Sequence, residues 1–462
     1  MSFASAAQPA SPAGFTHRRR RGTELVLLII SLVVGVGAYA AVGLGAQSKV
    51  PANIVSYGGW LTVLVVACHV VVRLVAPYAD PVLLPIVSAL NGLGLAEIHR
   101  IDLTGTSGTG HLASKQLMWM TVGVVLFVAV LLLIRDHRRL QAFTYTFGLA
   151  ALVLLVLPML PILGETVNGA RIWIHLGPLS FQPGEFAKIS LVLFFAGYLV
   201  VHRDALALAG RRFLGLDLPR GRDLGPILVM WLVSLAVLVF QRDLGSSLLF
   251  FGLFVVMLYV ATERPGWLVV GVVLFGMGSY FAYNVVSHVQ SRVNTWLHPF
   301  PVTNASYQLV QGMFGMAWGG LTGRGLGQGS PGLTPLGYSD YIMASMGEEL
   351  GLTGVMAILV LYGLIVERGL RISLICRDPF GKLMAAGLAV TFAFQVFVVV
   401  GGVTKLIPLT GLTTPFLSYG GSSLVANWAI IALLLRVSDQ ARRPVPRLAE
   451  PEDDTTQVVR MS

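Results

Sequence analysis

Few side chains in this sequence suit proton or group-transfer chemistry beside an apolar interior, and they fall in a handful of short stretches. Asp340 is the most isolated: a carboxylate in Ser339-Asp340-Tyr341, within a glycine-rich, moderately apolar segment with no cation within several residues. Desolvation in such surroundings raises a carboxyl pKa and suits the group to act as a base near neutrality. Glu185 and Lys188 follow Pro183 and lie three apart on the first turn of a helix. An ion pair at a helix start is the plainer reading of these two. Gln241-Arg242-Asp243-Leu244-Gly245 forms a short hairpin whose charges also suit a simple cap. Tyr307, Gln308 and Gln311 precede a run from Gly319 to Gly329 that holds Arg324. Glycines let backbone amides approach an anion closely, although a flexible turn needs them equally. Glu348-Glu349 favour a helix N-terminus electrostatically. Lys405 ends an apolar run, and Pro415 to Ser423 supplies small residues that also fit close helix packing. HExxH, P-loop, GxSxG and Cys/His metal spacings are absent. Hydrolase, ATPase and zinc-enzyme readings therefore lose support, and no metal ligands are assigned.

The elements that must position these residues follow from composition. The chain has 462 residues, 55% hydrophobic and 12% charged, with a mean hydropathy of +0.76. A soluble domain carries about a quarter charged residues. Apolar runs of about 20 residues cross a bilayer, and they are expected at 24–44, 58–76, 81–97, 115–134, 140–162, 183–202, 224–242, 246–261, 267–287, 346–366, 381–402 and 421–437. The fold class is thus an all-α polytopic membrane protein with about 12 transmembrane helices. Soluble enzymes, disulfide scaffolds and disordered proteins are excluded; Cys68 and Cys376 imply no disulfide framework.

Cations set the orientation. Arg18 to Arg21 precede the first span, and Arg135, Arg138, Arg139, Arg203, Arg211, Arg368, Arg371 and Arg442 alternate onto the same side. Both termini are then cytoplasmic, and the net charge of +10 reflects cytoplasmic loops rather than nucleic-acid binding. Residues 1–22 and 441–462 are expected to be disordered tails flanking a transmembrane domain at 23–440. The long segment 288–345 falls outside, with Arg292 and Arg324 as its cations, and is expected to form short interfacial helices and re-entrant pieces. Arg171, Glu185, Lys188, Arg292, Arg324, Asp340 and Lys405 thereby share the outer side of the plasma membrane.

Taken in order, Asn168 to Lys188, the hairpin at 241–245, Tyr307-Gln308 with the Gly319–Gly329 run, Asp340 with Glu348-Glu349-Leu350-Gly351, and Pro415 to Ser423 resemble the SEDS family (shape, elongation, division and sporulation). The resemblance covers about 115–440. An N-terminal pair of spans beyond the family's ten, with Gly401-Gly402-Val403-Thr404-Lys405, is similar to the RodA branch of high-GC Gram-positive bacteria. Two departures stand out. The hairpin reads Gln-Arg-Asp where the family commonly has Gln-Pro-Asp, and Gly337-Tyr338 replace Glu/His-type residues before the aspartate.

The resemblance implies a peptidoglycan glycosyltransferase that polymerises lipid II outside the cytoplasmic membrane, paired with a class B penicillin-binding protein. It places the family's essential acidic residue on Asp340 as base. It also implies substrate binding by Arg171, Glu185, Lys188, Arg292, Tyr307, Gln311, Arg324 and Lys405, with the cations facing diphosphate, and a divalent cation (Mg or Mn) as an optional helper. The competing readings are a lipid II flippase, a division-type role and a non-catalytic scaffold. A flippase lines a path through the midplane, whereas these polar residues gather on one side.

Overall fold

The computed structural model describes residues 21–105, 111–167, 169–176, 179–207, 211–213, 216–218 and 221–444. Asn168, Gly177, Arg220 and the expected tails, apart from their first or last few residues, lie outside these. Fourteen α-helices are described: α1 (Arg21–Gln47), α2 (Ile54–Val75), α3 (Leu83–Asp102), α4 (Leu112–Leu133), α5 (Thr144–Val156), α6 (Gly184–Ala207), α7 (Gly221–Phe240), α8 (Leu244–Thr262), α9 (Gly266–Val285), α10 (Ser287–Leu297), α11 (Tyr307–Gly319), α12 (Ile342–Ile375), α13 (Pro379–Val403) and α14 (Gly421–Arg442). Every expected span falls on one of these helices, and α10 and α11 fill the expected outer segment. Among the described residues, ten helices are long and apolar enough to cross a membrane. The apolar part of α7 is shorter, Gly225–Phe240, and α3 carries Glu97, His99, Arg100 and Asp102 in its last turns.

The helical expectation needs one addition. Strands β1 (Gly164–Val167), β2 (Ala170–Leu176) and β3 (Leu179–Phe181) form an antiparallel sheet between α5 and α6. A two-stranded hairpin, β4 (Arg211–Phe213) with β5 (Leu216–Leu218), joins α6 to α7. Pro158 removes a helical N–H just after α5, and the β-branched, aromatic run Arg171-Ile172-Trp173-Ile174 favours extended chain.

α14 lies at the centre, buried along nearly its whole length, while α9 is buried at Gly271 alone. α3 survives its charges because it too is enclosed. Gly92 on α3 faces Gly35 on α1 so closely that an added Cβ would lie 2.6 Å from the Gly35 Cα. Arg100 donates through Nε to Glu349 Oε1 (2.9 Å) and through Nη2 to Gly329 O (2.6 Å).

Contrary to the sequence expectation, Glu348 and Glu349 do not open a helix. They sit within α12 just before a break at Gly351, whose φ of 68° favours glycine. Their carboxylates accept from the glycine-rich loop: Gly327 N–H to Glu349 (2.9 Å) and Ser330 N–H to Glu348 (2.7 Å). The glycines are needed because this loop packs backbone to backbone against the break, Gly323 on Gly351.

Removing one partner of a buried pair leaves an uncompensated charge, costing about 3–5 kcal/mol. Arg100→Met should therefore lower the thermal unfolding temperature of detergent-purified protein markedly. Adding Glu349→Gln should recover part of the loss, and a stable Arg100→Met single variant would contradict this account.

Candidate functional site

A cavity of about 510 Å3 opens where α4, the β1–β3 sheet, the start of α6, the 241–243 hairpin, α10 and the loops before α12 and α14 converge. Asp340, Glu185 and Arg292 line it together with Glu165, Trp173, His175, Arg242, Asp243, Tyr338 and Tyr419. It lies at one end of the bundle, among helix ends and loops.

Asp340 is positioned by a strap. Its segment, 336–341, is tied to the segment before α14: Tyr419 N–H donates to Tyr338 O (2.8 Å) and the Ser418 hydroxyl to Ser339 O (2.7 Å). Ser418 in turn accepts from Thr414 N–H (2.8 Å), and Gln116 on α4 donates to Ser418 O (2.9 Å). The Pro415–Ser423 stretch therefore serves as a hydrogen-bonding clamp as well as a small-residue packing surface, where Gly421 seats against Trp119. Ser422 extends it, accepting Gln182 N–H at the mouth of α6 (2.9 Å).

Burial pushes the Asp340 carboxyl up to about 6, against the opposing pull of a Ser339 hydroxyl bond (3.0 Å) and of the Arg292 guanidinium. The desolvation expected of this carboxyl thus has a structural cause. Arg292 faces Asp340 beside Gly411: a Cβ added there would lie 3.7 Å from Asp340 Oδ2 and 3.8 Å from Arg292 Nη2. Arg292 is held by donating to Leu409 O (2.6 Å).

Behind them, Lys188 bridges Glu185 (2.5 Å) and Gln395 on α13 (2.8 Å), and Gln395 donates to Thr413 O (2.9 Å). The pair is a helix-start ion pair as expected, and it is also built into the cavity wall. Asp243 caps α8 by accepting Ser246 N–H (2.9 Å), and burial holds its carboxyl above the ordinary range. Next to it, Arg242 adopts φ 62°. Its N–H donates to Val239 O and that of Asp243 to Leu238 O, both 3.0 Å. This is a Schellman closure of α7 with Arg242 at the left-handed position. A proline cannot stand there, since its ring fixes φ near −65° and removes the N–H. The departure from Gln-Pro-Asp is thus a change of backbone as well as of charge.

The other expected residues lie off the cavity. Arg171 does not line the cavity; its guanidinium donates instead to Leu160 O (3.2 Å). Arg324 stacks over Trp318, 5.1 Å from the ring centroid. Lys405 takes a positive φ of 61°, with its carbonyl accepting from Trp296 Nε1 (2.9 Å). Tyr307 is exposed at the start of α11, and Gln311 is further along that helix. The glycine-rich loop spends the Gly327 and Ser330 amides on Glu349 and Glu348 rather than on a ligand. Conversely, Glu165 and His175 pair across the strands at the cavity (Oε2 to Nδ1, 2.7 Å). Nothing in their local spacing announces it, because the β-hairpin that pairs them was not anticipated.

Carbon-13 spectra of Asp340 across pH should show a midpoint near 6. Arg292→Gln should move that midpoint upward, because it removes the cation that favours the carboxylate. An unchanged or lower midpoint would contradict the electrostatic assignment.

Comparison with known proteins agrees with this architecture. The sequence profile of the "Cell cycle protein" family, which groups FtsW, RodA and SpoVE, matches residues 81–443. The chain is 48% identical over 440 residues to the peptidoglycan glycosyltransferase RodA of Mycobacterium tuberculosis (strain H37Rv), covering 94% of each. A solved chain from work on "structural coordination of polymerization and crosslinking by a peptidoglycan synthase complex" is 29% identical, with a TM-score of 0.64 over 79% of this chain and 98% of that one. A crystal structure of a variant of the Thermus thermophilus rod shape determining protein RodA is 27% identical, with a TM-score of 0.55 over 79% of this chain and 99% of that one. The chain is a multi-pass membrane protein of the FtsW/RodA/SpoVE, or SEDS, family.

Proposed function

We infer that this protein is a peptidoglycan glycosyltransferase that polymerises lipid II into glycan strands and serves cell elongation and shape. The observation that carries the mechanism is Asp340: a carboxyl held near pKa 6 on a clamped strap, facing Arg292 across a walled cavity. The family likeness supports the activity, and the high identity to RodA supports the elongation role.

In this reading a sugar 4-hydroxyl of one lipid-linked disaccharide gives its proton to Asp340 as its oxygen attacks the anomeric carbon of another chain. The bond to the diphosphate breaks, and undecaprenyl diphosphate leaves with the electron pair. One displacement assisted by one base inverts the anomeric centre, as a β-linked glycan grown from α-linked donors requires. Arg292 is the expected cation that reaches the cavity, and charge-assisted bonds to phosphate are the strong ones. Glu185 and Lys188 fix the wall beside it through Gln395 and Thr413. Among the described residues, no three His, Cys, Asp or Glu side chains converge as a metal site, and no step is assigned to a divalent cation.

The cation distribution along the sequence supports placing this end of the bundle outside the cytoplasmic membrane, with both termini inside. A class B penicillin-binding protein is the proposed partner. The gathering of the polar residues at one end of the helices favours chemistry on one face over a flipping path.

Purified protein given lipid II, with a class B partner, should produce glycan ladders on a gel. Asp340→Asn keeps the shape and removes the basicity, so it should lower polymerisation about 10²- to 10⁴-fold. The base must be ionised, so the rate should fall about tenfold per unit as pH drops below 6. Near-wild-type ladders from Asp340→Asn would remove the assignment of the base.

A further inference from the structure

The lip of the cavity carries a second charge pattern that the chemistry at Asp340 leaves unused. Arg242 is exposed there, and it pairs with no carboxylate among the described residues. The Schellman closure of α7 anchors its backbone at this point of the lip. From α10 come Arg292 and, one turn earlier on the same face, His288. The His288 Nε2 is buried and has no hydrogen-bond partner. Burial and the charges of Arg292 and Arg242 together hold its imidazole below the usual histidine range. The neighbours that act on this ring are thus cations.

Asp243 and Asp340 both act on Arg292, whereas the charges acting on His288 are cations alone. A buried nitrogen without a partner is unusual and calls for an explanation. The guanidinium groups of Arg292 and Arg242 disfavour a proton on the ring. An oxyanion with several acceptor atoms offsets both the orphaned nitrogen and the excess of positive charge. Phosphate esters fit best, because guanidinium forks bind their oxygens in pairs.

We propose that Arg242, His288 and Arg292 form a binding site for a phosphate-ester anion at the lip of the cavity, occupied by the diphosphate of a lipid-linked saccharide. Naming the saccharide lipid as occupant rests on the function inferred above; the anion site itself rests on the cluster. Arg242 and His288 thereby join Arg292 in holding the substrate, and Arg242 does so from the position where the family's proline would stand.

The test uses the full chain in detergent and needs no turnover. Inorganic pyrophosphate and, separately, inorganic phosphate are titrated calorimetrically into wild type, Arg242→Gly and His288→Gln. Glycine is the preferred residue at a left-handed helix end, so Arg242→Gly removes the side chain and keeps the hairpin. Loss of one charged hydrogen bond should weaken pyrophosphate about tenfold or more in each variant. The KM for lipid II should rise in step. Pyrophosphate affinity unchanged in both variants, or no pyrophosphate binding by wild type, would overturn the site. Phosphate binding as tight as pyrophosphate would overturn the diphosphate assignment. A wild type that binds pyrophosphate but never polymerises lipid II would overturn the inferred activity and leave the anion site standing. A polymerase whose pyrophosphate affinity ignores both substitutions would do the reverse.

Discussion

Charge drawn into an apolar bundle must find its partner inside the protein, because the surrounding lipid offers none. The Arg100–Glu349 pair shows how much of the structure hangs on that requirement. Arg100 brings α3 to α12, Glu349 collects the Gly327 amide, and the same arginine takes the carbonyl of Gly329. One ion pair therefore fixes the helix end, the break at Gly351 and the glycine-rich loop together. That loop also rests on α1, where Gln328 donates to Gly45 O (2.9 Å). At the other end of the bundle the pattern recurs. Asp80 and Asp439 receive Arg442 and Arg443, and they accept N–H groups from the turn between α2 and α3.

On this frame the cavity is made from pieces far apart in sequence. Asp340, Arg292, Asp243 and Glu185 come from four different loops or helix ends, and the clamp that holds Asp340 begins at Ser418. Preorganisation of this kind lets a carboxyl and a cation face each other without collapsing into contact. Arg292 is restrained by Leu409 O, and Asp340 by Ser339, so the space beside Gly411 stays open between them.

Much of this was legible in the sequence. The twelve apolar runs each became a helix, since length and hydropathy dominate that choice in a bilayer-sized element. Asp340 stood out because a carboxylate without a local cation is rare in apolar chain. What the sequence could not convey was direction. Arg171, Arg324 and Lys405 are cations expected near the site, yet the Leu160 carbonyl, a tryptophan face and a left-handed turn hold them elsewhere. The β1–β3 sheet was missed because three short strands between long helices leave only a weak alternation, and with it went Glu165 and His175. The glycine-rich loop suited an anion cradle and a flexible turn equally; the anions its amides meet are the protein's own glutamates, 18 and 22 residues further on.

The enclosure of α3 has a consequence for how the chain reaches the membrane. With Glu97, Arg100 and Asp102 in its last turns, this helix is a poor passenger for a lipid bilayer on its own. α1 is made first and offers Gly35 as a close seat for Gly92, so the two N-terminal helices can shelter α3 as it emerges. Its arginine must then wait about 250 residues for Glu349, until just over three quarters of the chain has been synthesised. The N-terminal pair thus acts as a holding station during biogenesis, keeping a half-satisfied helix in place until α12 completes it.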